Sequence, residues 1–275
     1  MHIGFELKNI DVNFLNDFDH YLSIGKLAVN KHKREIQSTL DKFQNYNGNL
    51  NGDKMQSNWF PQINADIFLS HSHADENLVI AFAGWLKQIF NLEVFVDSCI
   101  WGYSKDLQKI IDKKYSKNSQ GNLDYDKVLY ASSHVHMMLN TALMQMIDNC
   151  ECIIFLNTPN SVKPREVIDQ VVSPWIYSEI GMTKLVRKKS LRSHRTKFLN
   201  ESKVFSQLEI EYNLNTDHLI KLTLNNLIRW QKNYNGENRS PSISNYIEGQ
   251  RNNFNKNHIK NALDSLYKIK ESEMS

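Results

Sequence analysis

Apolar positions in this chain follow two rhythms, and their alternation predicts the fold. Short β-branched and aromatic runs, Ala65-Asp66-Ile67-Phe68-Leu69-Ser70, Glu93-Val94-Phe95-Val96-Asp97 and Glu151 to Asn157, have the length and continuity of strands buried on both faces of a parallel sheet. Between them the period changes to 3.6. Ser72-His73-Ala74-Asp75 has the spacing of a capping box and precedes a helical stripe of Leu78, Phe82, Trp85, Leu86 and Ile89. A second helix carries Leu107, Ile110 and Ile111, and a third, capped by Ser132 or Ser133, carries Met138, Leu139, Ala142, Leu143, Met146 and Ile147. Gln207 to Leu214 and His218 to Leu222 read as two further strands, followed by a helix from Thr223 to Gln231. Strand, helix, strand, helix implies right-handed crossovers and a parallel sheet.

The flanks read differently. From Asp11 to Phe43, apolar residues recur at three-, four- and seven-residue intervals, which predicts one long amphipathic helix, or two broken near Gly25, packing on the main domain or pairing with a second copy. Asn45 to Asn58 and Asn233 to Asn257 are asparagine-rich linkers, Lys114 to Tyr130 is a polar insertion, and Ile259 to Tyr267 is a short helix docking on the core. No internal repeat is evident. The division is thus an N-terminal helical extension and linker over 1–60, an α/β domain over 61–235, and a C-terminal linker and helix over 236–275.

Composition removes several classes of function. Lysine and arginine total 33 against 30 acidic residues, so the net charge of +3 argues against nucleic acid or an anionic membrane as partner. Purely apolar runs such as Cys152–Leu156 fall far short of the roughly 20 residues that span a bilayer. The first residues lack the basic and then apolar layout of a secretion signal, and three cysteines make no disulfide framework, so a cytoplasmic protein is expected. His71 and His73, or His134 and His136, alternate too closely for one helix face and lack clustered carboxylates, so no metal site is expected.

One stretch carries candidate chemistry. Ser173-Pro174 is a helix start, a hydroxyl cap followed by a residue with no amide hydrogen to satisfy. On that helix Trp175, Glu179, Met182 and Val186 share a face, so a carboxylate lies on an apolar stripe. By itself Glu179 reads as a solvated or salt-bridged helix residue. Topology adds the argument: in an open parallel sheet of order 2-1-3-4-5, the first and third strands adjoin and their loops diverge, forming a crevice at the carboxyl ends. Ser70, His71, Ser72, His73, the loop from Asp97 to Trp101, Trp175 and Glu179 would then line one pocket.

The motifs Asp66-Ile67-Phe68-Leu69-Ser70-His71, Val94-Phe95-Val96-Asp97, Ile153-Ile154-Phe155-Leu156 and Ser173-Pro174-Trp175-Ile176-Tyr177-Ser178-Glu179-Ile180 resemble, in order, those of Toll/interleukin-1 receptor (TIR) domains over roughly residues 64–189. The resemblance implies a flavodoxin-like α/β fold, a five-stranded parallel sheet flanked by helices with extra N- and C-terminal helices. In the catalytic branch it implies NAD-cleaving activity with NAD as substrate and no cofactor. Glu179 then takes the catalytic position, with Ser70, His71, Ser72, His73, Asp97, Trp101 and Trp175 as substrate-binding residues. It further implies a homo-oligomer when active, a separate effector sensing the product, and a place in bacterial anti-phage defence. The loop Ser98-Cys99-Ile100-Trp101-Gly102 departs from the family's usual proline- or glycine-containing pattern, as does the length of the insertion after Lys114. Two other readings stand beside it: a non-enzymatic adaptor acting through self-assembly, and a nucleoside-processing enzyme on a similar fold.

Overall fold

The computed structural model describes residues 1–8, 10, 12–32, 40–46, 48–101, 104–162, 170–171, 174–186, 188–191, 212–213, 216–237 and 262–269. Five strands form one parallel sheet: β1 (Ile3–Lys8), β2 (Ile67–Ser70), β3 (Val94–Phe95), β4 (Cys152–Asn157) and, after the short β5 (Gln170–Val171) and β6 (Tyr212–Asn213), β7 (Ile220–Leu222). The order is β3-β2-β4-β1-β7. The α/β class and the parallel sheet are as the periodicity predicts, and the strand at 67–70 does lie between those at 94–95 and 152–157. The rest of the order differs. The fourth place belongs to β1, from the segment read as a helical extension, and the strand at 220–222 is an edge beside it. Ile3, Phe5 and Leu7 alternate with Gly4, Glu6 and Lys8, a half-polar pattern that hides a central strand. The pattern is tolerated because the buried Glu6 carboxylate is met by Lys221, Asn157 and Thr216. Of the strand expected over 207–214, residues 212–213 form β6, which pairs antiparallel with β5 outside the main sheet; the other six residues lie outside the described ones.

Steps from β1 to β2 to β3 run one way along the sheet, and those from β3 to β4 to β7 run back. Right-handed crossovers therefore put α1 (Phe18–Asn30) and α3 (Glu76–Phe90) on one face. The other face takes α6 (Tyr125–Asn149) and α7 (Pro174–Leu185). Helix α1 is not broken at Gly25. A methyl group at Gly25 would sit 1.9 Å from the Ile80 carbonyl oxygen, and one at Gly84 would sit 1.9 Å from that of Tyr21, so the two backbones cross in contact. Helix α1 packs on the main domain through this crossing. Helix α8 (Leu224–Glu237) joins the same face through Trp230, whose ring stacks on Phe90 at 4.0 Å. Its indole donates to Ala262 O at 2.7 Å, which docks the helix at 262–269.

The linker and the insertion prove to be related. Residues 44–55, Gln-Asn-Tyr-Asn-Gly-Asn-Leu-Asn-Gly-Asp-Lys-Met, align with 117–128, Lys-Asn-Ser-Gln-Gly-Asn-Leu-Asp-Tyr-Asp-Lys-Val. Six positions are identical: Asn45/Asn118, Gly48/Gly121, Asn49/Asn122, Leu50/Leu123, Asp53/Asp126 and Lys54/Lys127. The backbone repeats as well. Asn45 N donates to Asn49 O and Asn118 N to Asn122 O, each at 2.8 Å; Asn51 N reaches Phe43 O at 2.7 Å and Asp124 N reaches Ser116 O at 2.8 Å. Gly48 and Gly121 take φ of 81° and 82°, left-handed values that glycine adopts without strain. Asn51 and Asp124 then cap α2 (Gly52–Trp59) and α6 through the amides of Lys54 and Lys127. Helix α6 thus starts at Tyr125, a full turn and more before the expected serine cap, and the chain has an internal repeat of one turn-and-cap unit. Asp41 and Lys114, 2.5 Å apart, tie the two copies together, and α5 (Ser104–Tyr115) leads into the second.

Candidate active site

The crevice follows from the strand order. The chain leaves β2 toward α3 on one face, while the chain leaving β4 reaches α7 on the other, so the carboxyl ends of these neighbouring strands open between diverging loops. Ser70 ends β2 in register with Phe155 of β4. Phe155 packs in a small cluster with Ile176 and Ile180, which seats α7 over this end of the sheet. The stripe one residue round the helix then brings Glu179 down beside Ser70.

Glu179 is 2% exposed. Its Oε2 and the Ser70 Oγ are both buried with no hydrogen-bond partner among the described residues. Burial, and next the nearby charge of Asp97, push its carboxyl well above the ordinary carboxylate range. The Ser70 hydroxyl pulls weakly the other way, although the pair do not reach hydrogen-bonding geometry. The other buried carboxyls behave differently. Burial also opposes charge on Glu6, but hydrogen bonds from Lys221 and Asn157 outweigh it and hold that group below its usual value. Asp75 accepts from Thr158 Oγ1 at 2.5 Å and from Asn160 Nδ2 at 2.7 Å, and Glu151 accepts from the Tyr267 hydroxyl at 3.1 Å. Asp66, at the far end of β2, is pushed up to about 7 by burial, yet its Oδ2 accepts from Glu93 N at 2.8 Å. Among the described residues, Glu179 is the buried carboxyl with an oxygen left over.

His71 joins the loops after β2 and β3. Its Nε2 lies 2.9 Å from Ser98 Oγ, and its Nδ1 faces Leu69 O at 3.4 Å and Asp97 Oδ1 at 3.8 Å. Two acceptors at Nδ1 put the proton there, leaving Nε2 to accept from Ser98. Burial lowers the His71 pKa against the opposing charge of Asp97, so the ring is neutral at pH 7. Asp97, 20% exposed at its side chain, opens α4 (Asp97–Ile100). Four of the expected residues therefore converge: Ser70, His71, Asp97 and Glu179. Ser72 accepts from Ala74 N at 3.4 Å and caps the turn His73–Asp75, while the exposed His73 borders an adjoining cavity of about 560 Å³ with Asp75, Phe18 and Asn160.

Trp101 does not join them. It is 3% exposed, its ring packs edge-on against Phe95 at 4.6 Å, and its indole donates to Pro61 O at 3.1 Å, so it is a core residue with no face left for a ligand. Trp175 lies in the first turn of α7, but its side chain, like Ser173, is outside the described residues. Sequence reasoning missed Asp75 as a bridge. Read as half of a capping box, it binds the loop after β4 instead and ties the two lips of the crevice together. No spacing signals a partner more than 80 residues away.

Two stability predictions follow from these charges. A raised carboxyl pKa means that the folded state keeps a proton that the unfolded chain loses above about pH 4.3, so the cost of Glu179 is absent below that pH and grows as pH rises toward the folded value. Thermal melts of Glu179→Gln are therefore expected to match wild type near pH 4 and to lie above it at pH 7. Glu6 has the opposite sign, its contribution being present above about pH 4.3 and lost as pH falls through its depressed folded value. Lys221→Met, which removes its principal counter-charge, is expected to cost about 2 kcal/mol at pH 7 and progressively less in urea titrations below pH 4.

No family model, no curated protein and no solved structure matches this chain.

Proposed function

We propose that the crevice cleaves the nicotinamide–ribose bond of NAD, with Glu179 as the catalytic carboxylate. The observation that carries this reading is the buried Glu179 carboxyl with its spare oxygen beside Ser70 and Asp97, at the switch point of a parallel sheet. Nicotinamide leaves a cationic substrate as a neutral molecule, so the reaction needs little acid help; its demand is for negative charge under the oxocarbenium-like ribosyl carbon. Desolvation raises the proton affinity of this carboxyl, and a positive charge arriving in the same dry site favours loss of that proton to water, so the anion forms where the cation needs it. The C1′–N bond breaks with its electron pair going to nicotinamide. Water then adds at C1′ and loses a proton to give ADP-ribose, or adenine nitrogen or another acceptor adds there to give a cyclic or conjugated product. Ser70 and the neutral His71 border the ribose, and the product's role as a defence signal for a separate effector is carried over from the resemblance. The test is direct: purified protein incubated with NAD, with and without forced clustering, and nicotinamide, ADP-ribose and cyclic products separated by chromatography. Release of nicotinamide supports the reading; intact NAD in both arms overturns it.

A further inference from the structure

A second cavity, of about 760 Å³, lies between the two copies of the turn-and-cap unit and shares no residue with the Glu179 crevice. Its size is that of small-molecule sites, and its floor is apolar, built from Met55, Ile111, Ala131 and Met138. The walls are preformed. Each copy closes its turn with the same set of backbone hydrogen bonds and then enters a capped helix, so little ordering remains to be done on binding. At the mouth stand two tyrosines, Tyr115 and Tyr130, 41% and 70% exposed. The polar groups that could orient a ligand are unequal. Lys127, on the rim, directs its ammonium to Lys117 O at 2.8 Å; the Lys114 ammonium, held by Asp41, lies 5.7 Å from the Tyr115 ring centroid, and His134 meets the Tyr130 ring edge-on at 4.7 Å. Asp126, on the first turn of α6, has no hydrogen-bond or ionic partner among the described residues.

The exposed Tyr130 ring, polarizable methionines and the exposed Asp126 carboxylate together select for a flat ring that carries positive charge, the ring against tyrosine and sulfur and the charge on the acid. We propose that the cavity between the repeats is a second ligand site, and that it takes a small aromatic amine whose protonated nitrogen pairs with Asp126. The site stands apart from the proposed NAD chemistry, and its test does not use activity.

The full chain, labelled at its methionine methyl groups, is titrated with tyramine and, separately, with 4-hydroxyphenylacetate, the same ring bearing the opposite charge. Tyramine at millimolar concentration is expected to move the Met55 and Met138 methyl resonances and leave those of Met146 and Met182, buried elsewhere, in place. Asp126→Asn is expected to weaken tyramine at least fivefold, and Tyr130→Ala to weaken it comparably; both side chains are exposed, so neither change threatens folding. Unmoved Met55 and Met138 signals overturn the proposal, and so do equal responses to the two compounds or an Asp126→Asn protein that binds tyramine as wild type does.

Discussion

Glu179→Gln is expected to cut nicotinamide release from NAD by a factor of about 10³ or more while leaving the fold intact. The exchange keeps the size and one oxygen of the side chain and removes its ability to become an anion, so it separates charge stabilisation from packing. A preorganised charge opposite a developing cation in a water-poor site contributes about 3–4 kcal/mol to the transition state, which sets the scale of the loss. Ser70→Ala, which removes a neighbouring hydroxyl and no charge, is expected to cost about tenfold. Product chromatography under single-turnover conditions reads both. If Glu179→Gln kept more than a tenth of wild-type turnover, the carboxylate would have to be dismissed as the catalyst. The melting shift predicted at pH 7 tells a folded, inactive variant from an unfolded one, since loss of activity should come with a gain in stability.

The largest structural effect is expected at Gly84. A side chain there must displace the Tyr21 carbonyl oxygen, 1.9 Å from where its Cβ would lie, and the backbone nitrogen of Gly25 at 2.7 Å. Neither is the loose end of a flexible side chain, so α1 has to move off α3 as a unit. Gly84→Val is expected to lose about 3 kcal/mol or more, which lowers the melting temperature by roughly 10 °C in a chain of this size. Gly181 is the control. It sits within α7 with nothing inside 4 Å of an added Cβ, and Gly181→Ala is expected to stabilise the protein by about 0.5 kcal/mol through the unfolded chain and helix propensity. Urea midpoints of the two variants should therefore move in opposite directions. A Gly84→Val protein with an unchanged midpoint would mean that the two helices do not cross in backbone contact.

What the sequence made legible tracks how local each signal is. Strands β2 and β4 are runs buried on both faces, and α3 has a cap next to a clean apolar stripe, so a short window contains the whole message. Strand β1 carries Glu6 and Lys8, and what lets it sit inside the sheet lies about 150 to 215 residues away in Asn157, Thr216 and Lys221. No window holds both. The start of α6 was hidden by a first turn of Tyr, Asp and Lys that reads as surface, although the twin of that turn stands at Asn51 to Lys54. Finding it required comparing the chain with itself at an offset of 73 positions, a search that asparagine-rich composition discourages. At the site, Ser70, His71, Asp97 and Glu179 were placed by strand order alone. Trp101 was misjudged because an aromatic residue after a strand reads the same whether it faces ligand or core; only Phe60, Phe95 and the Pro61 carbonyl around it decide.

The position of β1 also constrains how the chain can be made. The strand is made before both of its neighbours, which come late: Ile3 pairs with Cys152 and Phe5 with Ile220. At ordinary synthesis speeds it waits roughly ten to thirty seconds for the first of them. During that wait β2 and β3 can already pair, while an apolar segment with open edges is left without a mate. Nascent chains halted shortly before residue 152 should then be the species most prone to chaperone capture, and those halted just beyond β4 should be markedly less so.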